Sequence, residues 1–439
     1  MNSSQYQTAH AGRRAILLSR NDDTGEYESL ASTLGVEIVA KIIQRGKPNP
    51  RSYLGSGKLQ EIAEEMEMSG PGHLWHRVDL VLIHDNLKSS QLVNINDALT
   101  IETWDRVRLL LELFTRHASS AEARIQVRIA RLLADRSILR ELTNRETMGE
   151  RLGYGAGGQT GWNNIMKAVG YEITRLRRRL SKLDASMSER RRQRSRSGAL
   201  TVGLAGYTNV GKSSLFNSLS GKAVLIRDQV FSTLETTVGR MENKPRILMV
   251  DTIGFIDNVP AELLDSFSAT LQESLSCDML LLLVDASNTP EEIRRKLATS
   301  SREVSGRIKA DYSPNTIVVL TKTDLCTAEQ LQEAKEIVHY YSPFEAIPVS
   351  TMSGEGIEQL RSVILTQLHG PPVQVNIIHP EESSEIELAA LVARVHRDAL
   401  VIDIEVEKEL TKIYGWIDIA SQSRLTKEFP TQINITGKS

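Results

Sequence analysis

A glycine-rich turn with one lysine and one serine is the segment of this chain best suited to chemistry. It has the sequence Gly-Tyr-Thr-Asn-Val-Gly-Lys-Ser and follows the apolar run 200–205. In such a strand–loop–helix pattern, backbone N–H groups surround phosphate oxygens. The lysine would reach the β- and γ-phosphates of a nucleotide, and the serine hydroxyl would ligate Mg²⁺. The nucleotide-binding residues predicted here are Gly206, Tyr207, Thr208, Asn209, Val210, Gly211, Lys212, Ser213 and Ser214.

A second motif favours this interpretation over its alternative, a glycine-rich turn without function. The apolar segment 246–250 ends in Asp251 and continues with Thr252, Ile253 and Gly254. In nucleotide-hydrolysing folds, an aspartate here holds Mg²⁺ through water, and the glycine amide contacts the γ-phosphate. We therefore predict Asp251 in the metal site and Gly254 at the γ-phosphate.

Two further motifs select the base. The apolar segment 316–320 leads into Thr321, Lys322, Thr323 and Asp324, and a short apolar segment leads into Ser350, Thr351 and Met352. A carboxylate can accept hydrogen bonds from N1–H and the exocyclic amine of guanine, a donor pair that adenine lacks on that edge. The lysine stem can cover the base, and the backbone of the last loop can contact the guanine oxygen. Four ordered motifs, each at the end of a strand, predict GTP and GDP as ligands.

The threonine-rich segment 231–237 lies between the first two motifs. A GTPase needs one threonine here that closes onto Mg²⁺ and the γ-phosphate. Thr233, Thr236 and Thr237 all qualify, and chemistry alone leaves the choice open.

These residues resemble the HflX family of ribosome-associated GTPases. The resemblance rests on the phosphate loop through Asn217, the Phe-Ser-Thr-Leu segment, and Asp-Thr-Ile-Gly followed by Phe255. The family's Phe-x-Thr-Leu motif falls on Thr233, so the resemblance implies this threonine as the Mg²⁺ ligand and implies Lys212, Thr233 and Gly254 as the catalytic set. The nucleotide-binding segment implied in the same way is Phe231, Ser232, Thr233, Leu234 and Glu235.

The resemblance also implies a function. HflX proteins bind the large ribosomal subunit and its rRNA, so we expect a GTPase that splits or rescues stalled ribosomes. A GTPase of ribosome or RNA biogenesis and a GTP-dependent binding switch without useful turnover are the alternatives.

Phe255 follows Gly254, at the position where Ras-like enzymes carry a water-orienting glutamine. A phenyl ring makes no conventional hydrogen bond, so we expect slow intrinsic hydrolysis that a ribosomal surface or an ion completes. Asn209 indicates K⁺ as that ion, because some related GTPases bind it through an asparagine here. Its alternative role is to stabilise the loop.

The composition indicates a cytoplasmic protein. The two cysteines lack metal-ligand spacing, and residues 1–12 lack the apolar core of a signal peptide. We expect a monomer.

The net charge of −2 conceals a basic segment. Residues 172–198 contain ten Lys or Arg and three Asp or Glu. This excess favours contact with RNA over a merely solvated helix. Peripheral membrane association is a further alternative, but the four bulky apolar residues of the segment follow a stripe that packing explains more simply. They are Leu176, Leu180, Leu183 and Met187.

Hydrophobic periodicity predicts a multidomain α/β protein with four parts. A small parallel α/β domain (1–104) precedes a long helical hairpin (105–197) whose glycine-rich loop, 153–161, we predict to be non-helical. A P-loop GTPase domain (198–369) and a small α+β domain with one helix (370–439) follow. The loop lacks the Gly-Pro-Gly-Glu sequence of many HflX proteins, so the resemblance implies a divergent, archaeal-type branch.

Overall fold

The computed structural model describes residues 10–118, 120–149, 157–196, 198–220, 237–251, 254–255, 277–307, 314–341, 346–379, 385–407 and 409–437. Within these residues the chain divides into two compact units, the first up to Met187 and the second from Ser188. None of the helices in these ranges is long and apolar enough to cross a membrane.

A four-stranded parallel sheet begins the first unit. Its strands are β1 (Arg14–Ser19), β2 (Glu37–Ile43), β3 (Val78–Ile83) and β4 (Glu102–Trp104), in the order β2-β1-β3-β4. The connecting helices are α1 (Gly25–Thr33), α2 (Ser56–Glu67) and α3 (Ser89–Leu99). Residues 15–18 and 80–83 are fully buried, because helices cover both faces of a parallel sheet.

Three helices follow the sheet: α4 (Arg106–His117), α5 (Ala121–Gly149) and α6 (Gly157–Arg196), of which α6 belongs to this unit up to Met187. Apolar residues at helical spacing predict a helix over residues 105–145, with a break or cap at Ser119–Ser120. The break is present, and the Ser120 hydroxyl accepts a hydrogen bond from the Ala123 N–H at 3.0 Å. Ile125 and Ile129 of α5 pack with Ile173 of α6.

The prediction that residues 153–161 are too rich in glycine for a helix was wrong in its second half. The helix α6 begins at Gly157 and includes Gly161. Intrinsic propensity disfavours glycine by only about 1 kcal/mol per residue, which the context of a long helix can override.

A six-stranded sheet forms the larger part of the second unit. Its strands are β5 (Leu200–Gly206), β6 (Thr237–Glu242), β7 (Ile247–Asp251), β8 (Met279–Asp285), β9 (Asn315–Thr321) and β10 (Ile347–Pro348), in the order β10-β9-β8-β5-β7-β6. Only β6 among these runs antiparallel to its neighbour. The helices are α7 (Lys212–Ser220), α8 (Pro290–Arg307), α9 (Ala328–Tyr341) and α10 (Ile357–His369). The carboxyl ends of β5, β7, β8 and β9 therefore meet at one edge, where ligands bind in such sheets.

An antiparallel sheet with two helices ends the chain. It comprises β11 (Val373–Ile378), α11 (Glu385–Asp398), β12 (Ala399–Val406), β13 (Leu410–Ile417), α12 (Ile419–Glu428) and β14 (Ile433–Gly437), with strand order β12-β13-β11-β14. The sequence predicted one helix here, and α12 was missed. This short, polar helix is fixed by Asp418, whose carboxylate accepts from the Ser421 N–H at 2.8 Å, and by the fully buried Leu425.

A buried carboxylate joins this last sheet to the six-stranded one. Asp398 is 3% exposed and contacts Lys244, from the β6–β7 turn, at 2.9 Å, together with Arg394 and Arg424. Burial by itself would raise the pKa of Asp398, but hydrogen bonds from Lys244 and Arg394 lower it to about 2.

We expect Asp398→Asn to lower the free energy of unfolding at pH 7 by about 2 kcal/mol, because the folded pKa lies below the ordinary 3.8. The stabilisation is complete above pH ~4 and is lost as the pH falls towards ~2. Urea unfolding followed by tryptophan fluorescence at pH 7 and pH 3 checks this. Asp403→Asn, at an exposed site, is the control. An Asp398→Asn deficit that does not shrink at pH 3 would contradict the assignment.

Candidate nucleotide site

The loop between β5 and α7 is shaped by two glycines in the left-handed region. Gly206 has φ +149° and Gly211 has φ +92°. A Cβ atom at Gly206 would lie 2.7 Å from the carbonyl oxygen of Leu283 on β8, so no side chain fits there. Asn209, exposed at the loop surface, has φ +61°. This geometry turns backbone N–H groups inward, as a phosphate-binding loop requires.

Lys212 lies buried beneath this loop. Its ammonium donates hydrogen bonds to the carbonyl oxygens of Tyr207 at 2.6 Å and Gly206 at 3.2 Å. Burial lowers its pKa to about 8, and the negative charge of Asp251 partly opposes that shift. The cation is therefore held where a polyphosphate would meet it.

Ser213 and Asp251 form an oxygen pair beside the lysine. The Ser213 hydroxyl donates to the Asp251 carboxylate at 3.0 Å, and Asp251 is fully buried at the end of β7. Hydroxyl and carboxylate oxygens suit Mg²⁺, which commonly takes one or two protein ligands together with water and phosphate oxygens. The described residues contain no cluster of three or more His, Cys, Asp or Glu side chains that could hold a metal ion without such help.

The segment after β7 contacts the phosphate loop through its backbone. The Phe255 N–H donates to Gly206 O at 2.9 Å, and the Thr208 N–H donates to Phe255 O at 3.0 Å. A Cβ atom at position 254 would lie 2.5 Å from the Lys212 ammonium, so only glycine at this position lets the backbone come so close to the lysine. The Phe255 ring is 7% exposed and belongs to the apolar cluster that includes Tyr207.

The base-reading motifs connect to the same loop. The Thr321 hydroxyl lies 2.7 Å from Val210 O and 3.2 Å from Val284 O. Because a hydroxyl has one proton to donate, the shorter contact to the phosphate loop takes it. The Asp324 carboxylate is exposed and accepts a hydrogen bond from the Ser350 hydroxyl at 2.6 Å.

The last loop is organised around Ser350. Its hydroxyl oxygen accepts from the N–H groups of Met352 at 3.2 Å and Ser353 at 3.1 Å. Ser350 is fully buried, whereas Met352 is 86% exposed. The serine thus fixes the loop and the Asp324 carboxylate together.

Several predicted residues lie outside the part of the chain that the structure describes. They are Phe231, Ser232, Thr233, Leu234, Glu235, Thr236, Thr252 and Ile253. Thr237, the third candidate threonine, is the first residue of β6 and is half-buried.

Sequence reasoning missed Asp285 at the end of β8. Its carboxylate contacts the Lys322 ammonium at 2.7 Å. The available signal was an acidic residue that ends a buried strand, as Asp251 also does.

Comparisons with known proteins identify the family to which this chain belongs. Residues 201–322 match the family described as "50S ribosome-binding GTPase", and residues 21–115 match "GTP-binding GTPase N-terminal". The GTPase HflX of Thermococcus kodakarensis is 31% identical over 94% of each chain. The chain belongs to the HflX family of GTPases.

Other HflX relatives support the assignment. The GTPase HflX of Methanocaldococcus jannaschii is 33% identical over 78% of this chain and 82% of its own, and that of Escherichia coli is 29% identical over 86% and 88%. The crystal structure of SsGBP with GDP is similar with a TM-score of 0.50, at 26% identity over 81% of this chain and 99% of that chain.

The predicted fold class and the predicted GTPase activity are thereby confirmed. This HflX family member is a multidomain α/β protein with a P-loop GTPase domain, and it binds and hydrolyses GTP.

We expect GTP binding by this HflX protein to take up a proton above pH ~8. The Lys212 pKa is about 8, and phosphate charges beside the ammonium would raise it. Affinity should then fall by up to about 10-fold per pH unit above that value. Calorimetry at pH 8.5 in two buffers of different protonation enthalpy measures the uptake. Binding without proton uptake, or a pH slope retained in Lys212→Arg, would contradict this prediction.

We expect Asp324→Asn to lower GDP affinity by about 100-fold, because two charge-assisted hydrogen bonds to guanine are lost. An amide can donate to the C2 oxygen of xanthine, so affinity for xanthosine diphosphate should rise. Competition against a fluorescent GDP measures both. Glu329→Gln, an exposed carboxylate nearby on α9, is the control and should leave both affinities unchanged. An unchanged preference for guanine in Asp324→Asn would exclude this residue from base recognition.

Proposed function

We propose that this HflX protein binds the large ribosomal subunit in its GTP state and thereby splits or rescues stalled ribosomes. The observation that carries the proposal is a row of exposed cations on α6: Arg175, Arg177, Arg178, Arg179 and Lys182. Over the described residues no ion pair neutralises this row, whereas the neighbouring Glu172 already pairs with Arg128 at 3.2 Å. Exposed, uncompensated arginines attract RNA phosphates.

The apolar side of the same helix supports RNA over a membrane as the partner. Leu176, Leu180 and Leu183 pack against the α5 cluster that contains Ile125 and Ile129. A membrane-surface helix needs such residues free on its outer face. The basic row is therefore a charged surface without an apolar companion stripe.

The residues of the nucleotide site take the following roles in this proposal. Lys212 binds the β- and γ-phosphates, Asp324 selects guanine and Gly254 contacts the γ-phosphate through its amide. Bound Mg²⁺ would neutralise charge that develops on the phosphate oxygens, and Ser213, Thr233 and, through water, Asp251 would hold it. Loss of the γ-phosphate releases the segments that contain Thr233 and Gly254, which changes the ribosome-binding state.

Hydrolysis should be slow without the ribosome. The Phe255 ring is buried among apolar side chains and makes no conventional hydrogen bond, so it cannot orient the attacking water. We infer that a ribosomal surface completes the site. The exposed Asn209 on the phosphate loop is the candidate contact for K⁺, which would assist.

GTP turnover with and without purified large ribosomal subunits, in matched KCl and NaCl buffers, tests the proposal. We expect stimulation by the subunits of at least about 10-fold, and faster turnover in KCl. Replacing the four arginines of the exposed row on α6 by glutamine should remove the stimulation and keep the basal rate. Arg294→Gln with Arg302→Gln, exposed arginines on α8, is the matched control.

Brisk turnover by the chain alone with no response to the subunits would overturn the ribosomal part. Equal turnover rates in KCl and NaCl would contradict only the proposed role of K⁺.

A further inference from the structure

We propose that Asp285 is a positioning residue of the guanine site: its carboxylate holds the Lys322 stem in place to cover the base. The proposal deepens the nucleotide part of the proposed function and is independent of the ribosome. Asp285 belongs to none of the four motifs, and it acts through Lys322 rather than by touching the nucleotide.

Strand register brings the two residues together. Asp285 ends β8 directly opposite Thr321, the residue that ends β9, and the Ala286 N–H donates to Thr321 O at 3.0 Å. Lys322 is the next residue of the chain, and its ammonium reaches back to the Asp285 carboxylate at 2.7 Å. The pair thus bridges two neighbouring strand ends at the ligand-binding edge of the sheet.

The Asp285 carboxylate is itself fixed. One oxygen, Oδ1, accepts hydrogen bonds from the Ser287 N–H at 3.0 Å and the Ser287 hydroxyl at 2.6 Å. The other oxygen, Oδ2, is the one that contacts Lys322. Because each oxygen has its own partner, the carboxylate has one favoured orientation and so gives the lysine a defined anchor.

Lys322 needs such an anchor. Its backbone is in the left-handed region, with φ +58°, and its side chain is 29% exposed. An unpaired lysine in that setting samples many rotamers, all of which must be given up when the stem lies flat on a base. With Asp285 13% exposed, the ion pair is partly shielded from water and can remove that freedom in advance.

The position of Lys322 between two fixed neighbours makes the effect specific. Thr321 is bonded to the phosphate loop, and Asp324 to Ser350. Neither contact involves Asp285, so loss of the Asp285 carboxylate should release the lysine and leave the guanine-reading carboxylate in place.

The discriminating measurement compares two nucleotides. Inosine diphosphate lacks the exocyclic amine that Asp324 reads, but its ring offers the same surface to a lysine stem. We expect Asp285→Asn to speed the dissociation of fluorescent GDP and fluorescent inosine diphosphate by the same factor, about 10-fold, measured without ribosomes. Glu28→Gln removes a comparable carboxylate from Lys41, 2.6 Å away in the first unit, and is the matched control.

A double-mutant cycle isolates the pair. Lys322→Met keeps an apolar stem and removes the charge, so in that background Asp285→Asn should have no further effect on dissociation. Ser287→Ala loosens the anchor without removing its charge and should speed both dissociations by about 2- to 3-fold, which keeps the test available if Asp285→Asn folds poorly.

Three results would overturn the proposal: dissociation within 2-fold of the unmodified chain for both Asp285→Asn and Ser287→Ala, a loss confined to GDP, or an equal loss in the Lys322→Met background. Absence of ribosomal stimulation would overturn the proposed function and leave this result unaffected.

Discussion

The hydrogen bond from the Thr321 hydroxyl to Val210 O joins the base-reading motif to the phosphate loop, and it depends on the six-stranded sheet of the second unit. Val210 lies in the phosphate loop after β5, whereas Thr321 ends β9, two strands away across β8. A parallel sheet places those ends at one edge. The fit is close, since Gly206 approaches Leu283 O on β8 too tightly for any side chain. Phosphate binding and base recognition therefore depend on the same sheet geometry.

The degree of burial sets how strongly the charged groups of the site interact. Lys212 and Asp251 are buried, so their proposed interactions with phosphate and Mg²⁺ would be stronger than at a surface. Asp324 remains exposed, which suits a group that must exchange water for a base. In the last part of the chain, the buried Asp398 carboxylate pairs with the exposed Lys244 of the β6–β7 turn, so this ion pair connects the last sheet to the hairpin of β6 and β7.

Local patterns made much of this predictable. The phosphate loop, the strands beside it and the helices of the first sheet follow from short motifs and hydrophobic periodicity. Asp285 could not be assigned because its pairing with Lys322 depends on the register of β8 against β9. The start of α6 at Gly157 and the helix α12 escaped prediction because tertiary context and a capping aspartate overrode composition. The choice of Thr233 over its neighbours came from family resemblance, since three threonines offer the same chemistry.

In the proposed function, the nucleotide state controls binding of the chain to the large ribosomal subunit. The most direct test is sedimentation of the full chain with purified subunits, in the presence of either a non-hydrolysable GTP analogue or GDP. We expect the chain to sediment with the subunits in the presence of the analogue and to stay in the supernatant in the presence of GDP. This dependence on the nucleotide should be lost in Lys212→Ala. Equal association with both nucleotides, or association with neither, would contradict nucleotide control of ribosome binding.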